Sequence, residues 1–261
     1  SRLGRPVVLS QHCEAHELAE GGHMHEGEWS SFLGIPGQPS EAEELMVLRD
    51  IALSKMTGAR IHFQHLSTLG SVQMVREAKA AGLPVTAEAT THHFTLTDSA
   101  CSCYDPVFKV HPPLRTESDV RAVKEGLADG TIDAIATDHA PHSQHSKEMS
   151  FDQAPPGMLG LETALSLSLE HSGLDLPEVL GLLSWQPAKI AGVDDRHGMT
   201  VERNNSANLC VIDLDEKWTV SGKEMLSRSS NTPYEGWKLR GRVRHTINNG
   251  RLVVFDGESI K

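Results

Sequence analysis

Four short apolar segments of this chain each end in side chains that commonly bind metal ions. The segments are rich in apolar or β-branched residues, have the length of buried strands, and are each followed by a helix-like stretch. The pattern predicts a βα series whose parallel strands contain residues 6–12, 61–67, 85–93 and 133–142. In such a series the ends of successive strands meet at one mouth, although tens of residues separate them in the chain. We therefore expect an enzyme whose active site lies at these strand ends.

The number of βα units is half of that in a complete barrel. A (β/α)8 barrel takes about 250 residues, and the chain has 261 residues but only four units before a strand-like tail. Half a barrel leaves two sheet edges and an apolar interior uncovered. The chain also begins without Met, and residues 1–6 resemble the end of a helix. We expect the C-terminal part of a longer protein: an α/β fold with a partial (β/α)8 TIM barrel in residues 1–197 and the C-terminal segment of a small β-sandwich domain in residues 198–261.

Charge and composition argue against several classes of partner. The formal net charge is −11, from 24 basic and 35 acidic residues, and Lys and Arg form no cluster. We therefore expect no nucleic-acid partner, because phosphate binding needs clustered positive charge. No segment approaches the roughly 20 apolar residues of a membrane span, so no membrane partner is expected. The four cysteines include no C-x-x-C pair and are few for a secreted disulfide scaffold, which favours a reducing cytoplasm.

Local signals predict the helices, one turn and one long loop. Ser40 followed by Glu43 fits a capping box at the start of the first long helix. Asn249-Gly250 predicts a hairpin turn in the tail. The segment 139–160 has no helical or strand period, and long loops in compact domains are commonly functional. The predicted helices span residues 40–57, 72–81, 117–128, 160–173 and 176–191.

Two histidines and one aspartate at strand ends are the candidate metal ligands. A single buried His is most often a hydrogen-bonded core residue. His12 and His65 occupy equivalent strand ends, however, and Asp138 in the segment TDHAPH ends a third strand, which favours a shared metal site. A carboxylate at position 138 can hold a metal and also accept a proton from a metal-bound water. His142 lies beyond that strand, where it can donate to an anionic substrate.

The other histidines and the first cysteine have competing interpretations. His23 and His25 form an H-x-H in a Gly-rich loop, and we expect an exposed pair without a ligand role. His92 and His93 close the third strand, and they either line the site or make structural hydrogen bonds. Cys13 follows His12 and points to the opposite face by strand alternation, so we expect it in the core.

Six segments carry a resemblance to a known family. They resemble the bacterial long-chain dihydroorotases of the metal-dependent amidohydrolase superfamily, and the resemblance covers nearly the whole chain. Allantoinase and dihydropyrimidinase are less similar in these segments but stay open as alternative cyclic amidases. The segments are HCE (12–14), QHLST (64–68), PPLRT (112–116), TDHAPH (137–142), GMLGLETAL (157–165) and SRSSNTPYEGWKLRGRV (227–243).

The resemblance implies a metal cofactor and a catalytic carboxylate. It implies Zn²⁺, one or two ions per complete active site, with His12, His65 and Asp138 as the ligands on this chain. Asp138 matches the residue that acts as general base on the hydrolytic water and as acid toward the departing ring nitrogen. The family's own H-x-H and its metal-bridging residue precede the region that this chain matches. We therefore expect the chain by itself to be inactive.

The resemblance also implies how the substrate is bound. His142 matches a residue that binds the substrate carboxylate, and Pro156 with Gly157 matches a loop whose backbone closes over the substrate. His111 stands where the family usually has Asn before PPLR, so it is a candidate substrate-binding residue with a different reach.

The implied reaction is the reversible hydrolysis of (S)-dihydroorotate to N-carbamoyl-L-aspartate in pyrimidine biosynthesis. The partner is then this small-molecule substrate, and a homo-oligomer or an association with aspartate carbamoyltransferase is compatible with the resemblance. The alternative in another class is a non-catalytic dihydroorotase-like subunit that supports aspartate carbamoyltransferase. That alternative is disfavoured because His12, His65, Asp138 and His142 are all present.

Overall fold

The computed structural model describes residues 7–260 and has an α/β architecture. Its main sheet is parallel and contains four strands in chain order, β1-β4-β5-β6, so the predicted βα series is confirmed. The predicted helix end at residues 1–6 lies outside the described residues. The strands are β1 (Val8–Gln11), β2 (Met24–His25), β3 (Gly37–Gln38), β4 (Arg60–Phe63), β5 (Val85–Thr90), β6 (Ala134–Ala136), β7 (Leu209–Thr219), β8 (Lys238–Asn248), β9 (Arg251–Phe255) and β10 (Glu258–Ser259).

Helices connect the parallel strands and cover one face of the sheet. Asp98–Cys103 and Pro106–Phe108 are 3₁₀ turns, and a π-helical turn at Gly181–Trp185 joins the last two helices. No helix of the described part of the chain is long and apolar enough to cross a membrane. The helices are α1 (His16–Ala19), α2 (Glu28–Leu33), α3 (Glu41–Thr57), α4 (Leu69–Ala80), α5 (Thr91–Thr95), α6 (Glu117–Ala128), α7 (Gln144–Lys147), α8 (Ala164–His171), α9 (Leu176–Leu180) and α10 (Gln186–Ala191).

Alternation along the strands separates an apolar face from a polar face. On β4, Ile61 and Phe63 are buried in a cluster with residues of α3 and α4. His62 lies between them and therefore points to the opposite face. There its ring contacts Thr86 at 2.9 Å and the Glu88 carboxylate at 3.1 Å, both on β5. The opposite face of the sheet is thus polar, although the strands are short and apolar in overall composition.

The tail forms a second, antiparallel sheet with the order β10-β9-β8-β7. The predicted hairpin turn is confirmed, because β8 ends at Asn248 and β9 begins at Arg251. Asn249 and Gly250 have φ angles of +48° and +77°, as a two-residue turn of the mirror-image type requires. The tail also joins the core of the preceding residues, since Tyr234 and Leu239 pack in one cluster with Leu114, Met158 and Leu167.

Two local expectations about element ends were wrong. Ser40 is already helical in its backbone angles and its side chain makes no capping bond, so the predicted capping box does not form. The Glu43 carboxylate instead accepts hydrogen bonds from Ser67 and Thr68. His92 and His93 do not close a strand but lie in α5, where His93 contacts Thr90 and Pro112 with its two ring nitrogens. His93 therefore has a structural role.

The expectation of an exposed H-x-H pair was also wrong. His25 lies in the short parallel pair β2–β3 and is only 7% exposed. Its Nδ1 accepts a hydrogen bond from Arg115 at 3.1 Å. Cys13, by contrast, is buried in the core beside β4 as expected.

Acid should destabilise the fold, because buried histidines are neutral in it. Burial lowers the pKa of His25 to about 4, helped by the Arg115 guanidinium, and burial also lowers the pKa of His93 to about 4. An unfolded imidazole titrates near pH 6.5, so between about pH 6.5 and 4 the unfolded chain binds more protons than the folded one. The stability that the neutral rings confer is complete above this window and is lost as the pH falls through it.

His25→Gln tests this acid sensitivity, because the glutamine oxygen can accept from Arg115 but does not titrate. Between pH 7 and pH 4.5, the variant should lose less unfolding free energy than the wild type, by on the order of 2 kcal/mol. Urea denaturation at both pH values measures the difference. His145→Gln is the control, because His145 is exposed. Equal losses in His25→Gln and the wild type would contradict the prediction.

Candidate active site

The ends of β1 and β4 bring His12 and His65 into contact. Nδ1 of His12 lies 3.0 Å from Nε2 of His65, and the rings meet edge to face with centroids 4.8 Å apart. This separation is close to the about 3.3 Å between two nitrogen ligands of a tetrahedral zinc ion. The His12 side chain is 43% exposed, whereas His65 is 8% exposed. The two nitrogens therefore face each other where solvent reaches mainly the His12 ring.

The environment shifts the pKa values of the two rings in opposite directions. The Glu14 carboxylate lies 3.6 Å from Nε2 of His12 and raises the pKa of His12. Burial, followed by the neighbouring His12, lowers the pKa of His65, which favours the neutral ring that a metal ligand requires. The Asp138 carboxylate raises the pKa of both rings to a smaller extent, so its negative charge acts on both histidines.

Two of the three candidate ligands have an unusual backbone conformation. His65 has a φ of +31° and Asp138 a φ of +43°, values that non-glycine residues rarely adopt. Both residues lie just beyond the end of a parallel strand. Such conformations persist where the surrounding structure holds them and are concentrated at functional sites. The backbone thus marks the same strand ends that the sequence pattern indicates.

The donor types fit a divalent metal, but the described residues do not form a complete ligand set. Among residues 7–260, no group of three or more His, Cys, Asp or Glu side chains is arranged to hold a metal ion. The facing nitrogens of His12 and His65 are the part of the site that fits zinc. A shared metal site that also includes Asp138 stays a prediction.

A second group of candidate residues meets in the loop after β6. Nε2 of His142 donates to the carbonyl oxygen of Pro156 at 2.8 Å, which leaves Nδ1 of His142 for other partners. Gly157 has a φ of +129°, and a Cβ there would lie 2.6 Å from Cβ of Ala140. Only glycine fits this close approach. The structure therefore brings His142, Pro156 and Gly157 together, as a shared role requires.

Asn231 holds this loop together, and the sequence reasoning did not single it out. Its amide nitrogen donates to the carbonyl oxygens of Ala140 at 3.0 Å and Gly157 at 3.2 Å. Its amide oxygen accepts from the backbone N–H of His142 at 3.2 Å. Asn231 lies within the family-like segment 227–243, which was the only available signal, because no local pattern links it to a loop about 75–90 residues upstream.

Two lysines fix the rest of the loop. Nζ of Lys109, which is 3% exposed, donates to the carbonyl oxygens of Phe151 and Asp152, both at 2.9 Å. Nζ of Lys147 donates to the carbonyl oxygen of Pro155 at 2.9 Å. Burial lowers the pKa of Lys109, and it lowers the pKa of Lys147 to about 8. The segment expected to be irregular contains the short helix α7 and is ordered by these ammonium groups.

His111 is half-buried and already has one partner. The Gln38 side-chain amide donates to Nε2 of His111 at 3.2 Å, so Nδ1 is the atom left for a substrate. Burial lowers the pKa of His111, and the positive charge of Lys109 lowers it further. The Glu14 carboxylate acts in the opposite direction.

Comparison with known proteins finds a matching family and sequence relatives over nearly the whole chain. The model of the amidohydrolase family matches residues 22–253. A dihydroorotase from Streptomyces coelicolor is 48% identical over 255 residues, and one from Pelotomaculum thermopropionicum is 47% identical over 254 residues. Each match covers 96% of this chain and 59% of the relative. The chain thus spans about three-fifths of the length of these relatives.

Solved structures share the fold over almost the whole chain. L-Hydantoinase (dihydropyrimidinase) from Arthrobacter aurescens is 26% identical with a TM-score of 0.86, and dihydropyrimidinase from Brevibacillus agri is 21% identical with a TM-score of 0.85. Both matches cover 97% of this chain and 58% of the other chain. The resemblance to dihydroorotases predicted from the motifs is confirmed by the sequence relatives. On the match to residues 22–253, the chain belongs to the amidohydrolase family.

Proposed function

We propose that the protein containing this chain is a dihydroorotase, which interconverts (S)-dihydroorotate plus water and N-carbamoyl-L-aspartate in pyrimidine biosynthesis. The observation that carries the proposal is the contact between His12 and His65 at neighbouring strand ends, inside the segments that resemble dihydroorotases. Relatives with that name are 44–48% identical over nearly the whole chain, which supports the same substrate class.

The proposal includes a zinc site to which this chain contributes His12, His65 and Asp138, with one or two ions per complete site. When bound, zinc supplies a Lewis acid that polarises the carbonyl of the ring amide. The 3.0 Å approach of the two histidine nitrogens and the influence of Asp138 on both rings support this ligand set.

Asp138 is the proton carrier in the proposed reaction. Its carboxylate accepts a proton from water as the water oxygen bonds to the amide carbon. It then returns that proton to the ring nitrogen as the carbon–nitrogen bond breaks, so the ring opens to a carbamoyl group and a carboxylic acid, which releases its remaining proton to solvent. In the reverse direction the same carboxylate removes the proton from the carbamoyl nitrogen. The position of Asp138 beyond β6, near His12 and His65, supports this role.

The loop after β6 is the proposed recognition element for the substrate carboxylate. His142 offers Nδ1, since its Nε2 is occupied by the Pro156 carbonyl. The backbone of Pro156 and Gly157 closes over the ring, and Gly157 permits the close packing against Ala140. His111 contributes Nδ1 to the proposed site, since its Nε2 is occupied by Gln38. The ammonium group of Lys109, whose charge reaches His111, favours an anionic ligand.

The proposal extends to the architecture and the cellular context. We propose that the parallel sheet is part of a (β/α)8 barrel within residues 1–197 and that residues 198–261 belong to a β-sandwich domain. The free state of all four cysteines supports a reducing cytoplasm. The small-molecule substrate is the proposed partner, and the family resemblance also accommodates a homo-oligomer or aspartate carbamoyltransferase.

A different cyclic amidase is the second candidate function. The solved structures with the same fold are hydantoinases and dihydropyrimidinases, and His111 departs from the dihydroorotase pattern at a proposed substrate contact. Dihydrouracil separates the two candidates, because it has the dihydroorotate ring without the carboxylate.

Asp138→Asn should remove the proton carrier while leaving most of the metal affinity. In the native protein that carries this sequence, kcat for dihydroorotate should fall by about 10²-fold or more, as expected for loss of general acid–base catalysis. Steady-state kinetics with matched zinc content measure the change. Asp215→Asn, an exposed site on β7, is the control and should keep wild-type turnover. Turnover of Asp138→Asn within about twofold of the wild type would exclude the proton-transfer role.

His142→Ala should affect a substrate that has a carboxylate and spare one that lacks it. Loss of one donor to a buried anion should lower kcat/KM for dihydroorotate by about 10- to 150-fold. Dihydrouracil should be a poor substrate whose hydrolysis changes little, whereas a purely structural loss would affect both substrates equally. His145→Ala, an exposed change in the same loop, is the control. Comparable wild-type hydrolysis of both substrates would favour the dihydropyrimidinase alternative.

A further inference from the structure

Two carboxylates from different helices bind the loop after β4. Their hydrogen bonds hold this loop next to His65, whose backbone conformation is unusual. The backbone N–H groups of Ser67 and Thr68 donate to Glu43 of α3, at 3.1 and 3.2 Å. The N–H of Leu69 donates to Asp119 of α6 at 2.8 Å. A strained backbone persists only where such contacts determine it. The placement of His65 therefore depends on groups behind the loop and not on the ring alone.

Arg115 lies behind the same loop and is 3% exposed. Its Nε donates to the hydroxyl oxygen of Ser67 at 3.1 Å, and this hydroxyl in turn donates to the Glu43 carboxylate. A terminal nitrogen of the guanidinium donates to the carbonyl oxygen of Gln38 at 3.0 Å and contacts Nδ1 of His25 at 3.1 Å. A buried guanidinium is tolerated only where its donors are satisfied, and this one is bonded on two sides.

Gln38 continues the connection to the proposed substrate site. It lies on β3 and is 3% exposed. Its side-chain amide donates to the carbonyl oxygen of Gly22 at 3.2 Å and to Nε2 of His111 at 3.2 Å. A single guanidinium thus contacts both the loop that carries His65 and the residue that orients His111.

We propose that Arg115 is a positioning residue that sets the placement of His65 relative to His111. The proposal rests on the proposed function, since His65 is the metal-binding side and His111 the substrate-binding side of that site. Arg115 does not contact the reacting atoms. Its planar guanidinium presents donors in a fixed fork, whereas a lysine ammonium is a point charge that cannot reach Ser67 and Gln38 in the same geometry.

Arg115→Lys and Arg115→Gln test the proposal in the native protein that carries this sequence. Chelator competition should show zinc affinity lowered by about 10-fold, as for other residues that orient metal ligands. The visible absorption of the cobalt-substituted protein should shift, because it reports ligand geometry. KM for dihydroorotate should also rise through His111. Arg76→Lys and Arg76→Gln are the matched controls, since Arg76 is a surface residue that bonds Asp129 on its exposed side.

The proposal would be overturned if both Arg115 variants kept zinc affinity and KM within about twofold of the wild type and showed an unshifted cobalt spectrum. If circular dichroism shows that these variants are unfolded, Ser67→Ala replaces them, because it removes the bridging hydroxyl and keeps the backbone bonds to Glu43. The zinc affinity of Ser67→Ala should also fall, by less than the ~10-fold expected for the Arg115 variants. Unchanged zinc affinity and an unchanged cobalt spectrum in Ser67→Ala would overturn the proposal. A wild type that binds zinc without dihydroorotate turnover would contradict only the proposed reaction. A wild type that binds no zinc would contradict both.

Discussion

The buried carboxylate of Glu43 is the interaction on which the arrangement of the site depends. It comes from the first turn of α3 and accepts hydrogen bonds from two backbone amides and two hydroxyls in the loop after β4. Burying a charge costs several kcal/mol unless its partners compensate. Here the partners belong to the segment that carries His65 and begins α4, so satisfying Glu43 also fixes the end of β4. Removing it would leave the amides of Ser67 and Thr68 without an acceptor.

The mouth combines neutral histidines with a buried positive charge. Desolvation lowers the pKa of His25, His65 and His93, which favours their neutral form. The positive charge is carried by Lys109, whose ammonium group is held by backbone carbonyls of the loop after β6. The loop after β6 is thus ordered by the same ammonium group whose charge lowers the pKa of His111.

Structural features that depend on local hydrophobic period and turn residues were predicted correctly, whereas contacts between distant segments were not. The parallel order of the four strands, the limits of α6 and the Asn249-Gly250 turn follow from hydrophobic period and turn chemistry, which act over a few residues. The predicted capping box at Ser40 does not form, because the Glu43 carboxylate accepts hydrogen bonds from the loop after β4 instead of from its own helix terminus. His25 was expected to be exposed because a Gly-rich loop gives no sign of the Arg115 that buries it.

The sequence by itself determined that polar strand-end residues would collect at one edge of a parallel sheet, since strand direction and spacing are local properties. It also determined the family, through segments whose residue types are specific. Only the tertiary structure decided which atoms meet: Nδ1 of His12 with Nε2 of His65, and His142 with the carbonyl of Pro156. Roles such as those of Asn231 and Arg115 arise from side chains that join segments far apart in the chain. Hydrogen bonding is directional and short in range, so such partnerships exist only once packing has brought the segments together.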